Sequence, residues 1–264
     1  RQRFIDFLPE ELTLNGSIPT TLSLEGNPER VHGDLQLHLD NLHVKIPNLI
    51  TKKSKLKSSL SIKGSWQLGE VNIEQAKLDL ADAHLEAAAF IPLGENSQPF
   101  HLQVNNIDLD ALRPYSPLLQ RLKSRGSFRV DLRRQTTGDY QGELTLDNVG
   151  ANLTWVIADL NSVTGKATFN NLGLDFEKLD ARLGKSRVQV DGRLRHWKNF
   201  LLDLHVISKE VRAQDLVFAN QEMAVYDLDG RLLINKGGII FDPVQVRLEN
   251  GTDATVTGYV RDFS

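Results

Sequence analysis

An all-β chain of antiparallel strands is what this sequence predicts, and three observations carry that expectation. Apolar and polar residues alternate with period two through most of the chain. Short Gly- and Asn-rich turns separate the alternating runs. Helical periodicity is nearly missing. Alternation gives a strand one apolar and one wet face, the habit of antiparallel sheets. Buried parallel strands read instead as continuous apolar runs.

The first clear run is Gly33-Asp34-Leu35-Gln36-Leu37-His38-Leu39, with Leu35, Leu37 and Leu39 on one side. The phase slips by one at Asp40-Asn41, as a β-bulge allows, and Leu42, Val44 and Ile46 resume it. Thr51 to Lys57 is a basic loop or the start of a strand. Leu78/Leu80, Ala83/Leu85/Ala87/Ala89 and Leu102/Val104 follow. From Asp108 to Lys123 a loose 3.6-residue period through Leu109, Leu112, Leu118, Leu119 and Leu122 is broken by Pro114 and Pro117. One or two short helical turns are expected there. Alternation returns at Phe128/Val130/Leu132 and Leu144/Leu146. It continues at Ala167/Phe169, Leu172/Leu174/Phe176, Leu179/Ala181/Leu183, Val188/Val190 and Leu202/Leu204/Val206. Lys209 to Asn220 offers a second helical turn. Leu232/Ile234, Val244/Val246/Leu248 and Ala254/Val256 complete the chain. The turns between runs are Gly94-Glu95-Asn96, Thr137-Gly138-Asp139, Asn170-Asn171-Leu172-Gly173, Lys236-Gly237-Gly238 and Asn250-Gly251, which suit hairpins. About fifteen strands result.

The chain also repeats itself. Units starting at Gly64, Gly165 and Gly230 share a glycine, a strand, a turn and two alternating strands. They close near Ala89, at Gly192 and at Gly258. Gly165 and Gly230 are expected to begin equivalent strands. Gly33-Asp34-Leu35-Gln36-Leu37 and Gly142-Glu143-Leu144-Thr145-Leu146 form a second related pair. Two β-meander super-units follow, 1–125 and 126–264.

Composition narrows the function classes. The 264 residues are 40% hydrophobic and 25% charged, which excludes a mostly disordered chain. No apolar run is long enough for a transmembrane helix. The net charge of −3 lacks the basic excess of a nucleic-acid binder. With no cysteine there is no disulfide scaffold, thiol nucleophile or Cys-based metal site. The chain starts at Arg1 with no signal peptide in view, so it is read as a piece of a longer one, with any membrane anchor outside it.

No constellation carries catalysis. His32, His38, His43, His84, His101, His196 and His205 lack metal spacing and are expected on the surface. Asp108 and Asp110 lack the remaining ligands of a calcium loop, which leaves a turn or helix-capping role. Ser54-Lys55-Leu56-Lys57 matches Ser-x-x-Lys without its companion motifs. Lys52, Lys53, Lys55 and Lys57 read as a solvated loop first and as a lipid-headgroup contact second. Trp66, Trp155 and Trp197 read as core or edge packing rather than as a groove rim. The sequons at Asn152 and Asn250 carry no meaning in a bacterial protein. The chain is expected to be no enzyme and to hold no cofactor or metal.

The run Leu179-Asp180-Ala181-Arg182-Leu183-Gly184-Lys185-Ser186-Arg187-Val188-Gln189-Val190-Asp191-Gly192, within Val163 to Leu194, resembles the AsmA-like superfamily, the AsmA, YhdP and TamB type of periplasmic protein. Leu202 to Val206, Val211 to Leu216 and Asp108-Leu109-Asp110-Ala111-Leu112 fit further elements of that pattern. The resemblance covers most of the chain as a pattern of residue types without a catalytic signature. It implies a long repetitive β-groove, tethered to the inner membrane by a segment outside this chain, that carries phospholipid across the periplasm toward the outer membrane.

A sheet with an apolar face must cover it, and helices to do so are nearly missing. A two-sheet sandwich, a closed barrel, or a gutter completed by lipid remain. A lipid with roughly 30 methylenes, each worth ~0.8 kcal/mol on leaving water, does not cross water unaided. The candidate groove lining is Leu35, Leu37, Leu39, Leu78, Leu80, Leu102, Val104, Val130, Leu132, Leu144, Leu146, Phe169, Leu174, Phe176, Leu183, Val188, Val190, Leu202, Leu204, Val206, Leu232, Ile234, Val244, Val246 and Val256. Phospholipid acyl chains are the expected partner. The alternative is a structural or interaction module of β-sandwich type in an envelope protein.

Overall fold

The computed structural model describes residues 12–47, 50–67, 69–92, 100–135, 138–152, 159–195, 201–212, 215, 224–235 and 237–261. The chain is all-β and its strand pairings are antiparallel. It forms two compact units, Arg1–Ser124 with Arg129–Gly138, and Arg125–Phe128 with Asp139–Ser264. Eighteen strands lie in the described residues, three of them short additions to the fifteen or so that alternation predicts.

The first unit holds β1 (Thr13–Asn15), β2 (Thr20–Asn27), β3 (Arg30–His38), β4 (His43–Ile46), β5 (Ile50–Lys52), β6 (Ser58–Gln67), β7 (Glu70–Leu80), β8 (Ala83–Pro92) and β9 (Phe100–Asp108). Its main sheet runs β2-β3-β6-β7-β8-β9. β4 and β5, between β3 and β6, leave that sheet and join β1 in a smaller one, β1-β4-β5. The phase slip at Asp40-Asn41 is therefore no bulge: it is a turn between strands of two sheets. Side chains hold the turn. The Lys52 ammonium, its residue only 3% exposed, donates to the carbonyls of Leu39 (2.6 Å) and Leu42 (2.7 Å). Ser58 N donates to the Asp40 carboxylate. After β9 come α1 (Leu109–Leu112), a 3-10 turn at Arg113–Tyr115, and α2 (Pro117–Arg121), the short helical turns that the two prolines predict. Asp108 Oδ1 accepts from Asp110 N (2.8 Å) and Ala111 N (3.1 Å), which is the expected capping role.

The second unit holds β11 (Tyr140–Ala151), β12 (Leu160–Asn170), β13 (Gly173–Leu183), β14 (Ser186–Arg195), β15 (Leu201–Arg212), β16 (Ala224–Asn235), β17 (Gly238–Leu248) and β18 (Asp253–Arg261). β10 (Arg125–Arg134) gives residues to both units. β11 to β18 pair strictly in chain order, a meander of one sheet in place of the two sheets of a sandwich. Lys209 to Arg212 ends β15 rather than starting a helical turn, because Val211 pairs with Val225 across the sheet. Asp215, the only other described residue of that stretch, is in a 3-10 helical turn, so the expected turn follows β15 instead of starting at Lys209.

Gly64, Gly165 and Gly230 do not start strands. They lie inside β6, β12 and β16, and the unit-closing Gly192 and Gly258 lie inside β14 and β18. Strand interiors take glycine where something bulky approaches. Gly142 faces Phe169, Gly192 faces Phe176 and Gly258 faces Phe241. At Gly258 the space a Cβ would take stays open among the described residues, and at Gly192 the Asp203 backbone is what comes close. Gly192 also has φ 157°, and a Cβ there would overlap the Asp203 carbonyl oxygen.

Bulges recur at one type of place. The register shifts between Leu146 and Val149, Phe176 and Leu179, and Phe241 and Val244. Each extra residue lets two apolar side chains three positions apart share a face. Asn148 and Lys178 take φ of 50° and 49° inside the first two bulges. Pro243 lies in the third, where a missing N–H costs no ladder hydrogen bond.

Candidate functional site

Directly paired residues on adjacent strands present their side chains to one face, so the register lists each face row by row. In the second unit one apolar row crosses eight strands: Leu144, Ala167, Phe176, Gly192, Leu204, Leu232, Phe241 and Gly258. At ~4.8 Å per strand its seven steps cover roughly 34 Å. Beside it runs Phe169, Leu174, Leu194, Leu202, Ile234 and Ile239. On the other side Val190 pairs with Leu179 and Val206, and Val244 with Gly230 and Val256. Pairing of an amphipathic strand with its like on both sides builds such rows without any further instruction.

Burial divides this face. Near the β13–β14 turn, Val163, Ala181, Leu183, Val188, Val211 and Val225 form a packed cluster, with Val211 only 1% exposed. Toward the opposite strand ends Leu174, Leu194, Leu202, Leu232 and Ile234 stay half-buried. No helix covers them among the described residues of this unit. The candidates Leu183, Val188, Phe176 and Val244 are therefore buried. Leu144, Leu146, Phe169, Leu174, Val190, Leu202, Leu204, Val206, Leu232, Ile234 and Val246 are half-buried, and Val256 is 47% exposed.

In the first unit the rows are floored by small residues. One is Leu22, Leu35, Ile62, Ala76, Ala87 and Val104; the next is Leu24, Gly33, Gly64, Ile73, Ala89 and Leu102. Leu37, Leu60, Leu78 and Leu85 form a third. Gly33 and Gly64 face each other directly and leave a depression lined by Leu24, Leu35, Ile62, Trp66, Val71 and Ile73. Leu22 and Leu24 are 58% and 61% exposed. The candidates Leu35, Leu37, Leu78, Leu80, Leu102 and Val104 are half-buried on these strands, as are Val130 and Leu132 on β10. Leu39 lies in the turn after β3. Trp66 is 41% exposed rather than packed in a core, since its row of Val31, Trp66, Val71 and Ile91 has nothing over it among the described residues. Trp155, Trp197, His196 and the Gly94-Glu95-Asn96 turn lie outside the described residues. The exposed pair Leu22 and Leu24 was missed as lining, although the alternation Leu22-Ser23-Leu24 signals it.

The opposite face is a lattice of cross-strand ion pairs. In the second unit Arg231 holds Asp203 bidentately, with two N–H···O contacts of 2.8 Å, and keeps that carboxyl below the usual carboxylate range. Lys166 pairs with Glu143 (2.8 Å) and Arg193 with Asp175 (3.4 Å). His205 bridges two strands, 2.7 Å from Asp229 and 3.3 Å from Asp191. Its pKa is raised, chiefly by the Asp229 hydrogen bond. Of the other histidines, His32, His38 and His84 are exposed and His43 and His101 half-exposed. Among the described residues no three His, Cys, Asp or Glu side chains gather to hold a metal ion. The polar face thus holds the strands in register, and the apolar face is left for hydrophobic contact. Comparison of the chain with protein-family models, curated proteins and solved structures returns no match.

Proposed function

We propose that the apolar faces of the two units carry phospholipid acyl chains, in a segment of an inner-membrane-anchored periplasmic protein that moves phospholipid toward the outer membrane. The observation behind this reading is the apolar row across eight strands of the second unit, Leu144 to Gly258, in which Ala167 and Phe176 are buried while Leu144, Leu204, Leu232 and Phe241 stay half-buried, with no helix over them among the described residues. A single sheet face of this kind leaves apolar area in water at roughly 25 cal/mol per Å². An acyl chain laid along a row removes that area on both partners. A row of roughly 34 Å is about twice the ~15 Å depth of one leaflet's hydrocarbon. The face carries no charged side chain along the paired row, so a chain sliding along it meets no trap and no barrier.

A second reading, a self-packed structural or interaction module, draws on the cluster around Val211, where the face is already filled by its own side chains. Native mass spectrometry and lipid extraction of the purified chain separate the two. Copurified phospholipid, exchangeable for an added fluorescent fatty acid, is expected. A lipid-free chain that takes up no fatty acid would leave the module reading standing.

A further inference from the structure

The charge of this chain is unevenly distributed. Between Leu39 and Lys57 stand five lysines and one aspartate, +4, in a chain of −3, which leaves −7 for everything else. The structure gives these lysines two roles. Lys52 turns inward and pins the carbonyls of Leu39 and Leu42. Lys55, with φ 69°, donates its backbone N–H to the Asp40 carbonyl (2.7 Å). The loop is thereby held in one conformation, with Lys53, Lys55 and Lys57 exposed after β5 and Lys45 exposed on β4. None of these four forms an ion pair among the described residues, although cross-strand pairs are frequent elsewhere on the chain.

Beside the cations lie uncovered aliphatic side chains. The register places Leu14, Val44, Ile46 and Ile50 on one face of the β1-β4-β5 sheet together with the inward-turned Lys52, and Lys45 on the opposite face. Leu14 is 57% and Ile50 43% exposed, and Ile18, in the link to β2, is 43% exposed. The unpaired Lys53, Lys55 and Lys57 beside exposed Leu14, Ile18 and Ile50 match an anionic interface that also accepts apolar side chains, which is a lipid bilayer surface. An acidic protein would answer the charge and leave the aliphatic face in water.

We infer that the β1-β4-β5 sheet and its lysine loop dock the first unit on an anionic phospholipid bilayer. This inference does not depend on the acyl-chain reading of the large sheets. Flotation of the whole chain with phosphatidylcholine vesicles, with and without phosphatidylglycerol, tests it. Binding is expected only where phosphatidylglycerol is present, and it weakens as salt rises, because exposed charges are screened beyond about 10 Å at 0.1 M. Lys53→Glu/Lys55→Glu/Lys57→Glu weakens binding by roughly a hundredfold or more, and the triple Arg variant retains it. Ile50→Asn weakens the binding that survives at high salt. Circular dichroism checks folding, and a triple Gln variant replaces any Glu variant that fails to fold. Equal binding to neutral vesicles, no binding to anionic ones, an unchanged triple Glu variant, or preference for polyglutamate over vesicles would each overturn the inference.

Discussion

Val190→Asp separates an open apolar face from a packed core. Val190 pairs with Leu179 on one side and Val206 on the other and is half-buried, whereas Val211 is 1% exposed. A carboxylate at position 190 keeps part of its hydration, so the folding cost is near the apolar burial lost, about 1 kcal/mol for half a valine. In a domain of this size that lowers Tm by roughly 4 °C. A carboxylate at position 211 has no water and no partner, and costs several kcal/mol. For a lipid passing residue 190 the matching scale is the ~2.5–3.5 kcal/mol of a charge at a bilayer centre, a slowing of roughly a hundredfold. The assay pairs thermal unfolding of both variants with lipid photo-crosslinking from a reactive residue at Leu232, half-buried two strands away from Val190. The expected result is a folded Val190→Asp with crosslinking strongly reduced, and an unfolded Val211→Asp. A Val190→Asp chain that unfolds as readily as Val211→Asp would refute the open face. A folded one with crosslinking unchanged would refute lipid passage along it.

Asp215 is 9% exposed, and its Oδ2 accepts from Lys185 N (3.0 Å), Ser186 N (2.9 Å) and Ser186 Oγ (2.6 Å), so Asp215→Ala should cost about 3 kcal/mol in denaturant unfolding. Asp215→Asn keeps an acceptor oxygen and should recover most of it; equal losses for both would show that the acceptor is not what matters. Because the pKa of His205 is raised, its stabilisation is complete below ~6.5, the unfolded value, and is lost as pH rises through the folded value. Tm should therefore fall across that window and fall less in His205→Asn, and identical pH profiles would refute the bridge to Asp229 and Asp191. Gly192→Ala should destabilise the second unit by about 1–3 kcal/mol through its φ and its approach to Asp203, and a neutral result by calorimetry would mean the strand relaxes there freely.

Alternation by itself determined the fold class, the order of hairpins and which side of each strand is apolar, because side-chain direction in a strand depends only on position parity. The helical turns after β9 were legible too, since Pro114 and Pro117 forbid a longer helix and Asp108 announces its cap. Parity also misled. Asp40-Asn41 looked like a bulge, and only the tertiary structure shows β3 and β4 parting into two sheets, held by Lys52 from ten or more residues away. The glycines recurred visibly, but that Gly192 pairs with Phe176 and Gly258 with Phe241 depends on register, which the bulges inside each hairpin shift. Candidate lining residues came from parity as one undivided set. Burial separated Leu183 and Val188, closed in the cluster with Val211, from Leu202 and Leu232, which stay half-open. That difference depends on how far neighbouring strands extend past each residue, a property of the assembled sheet and not of any one strand.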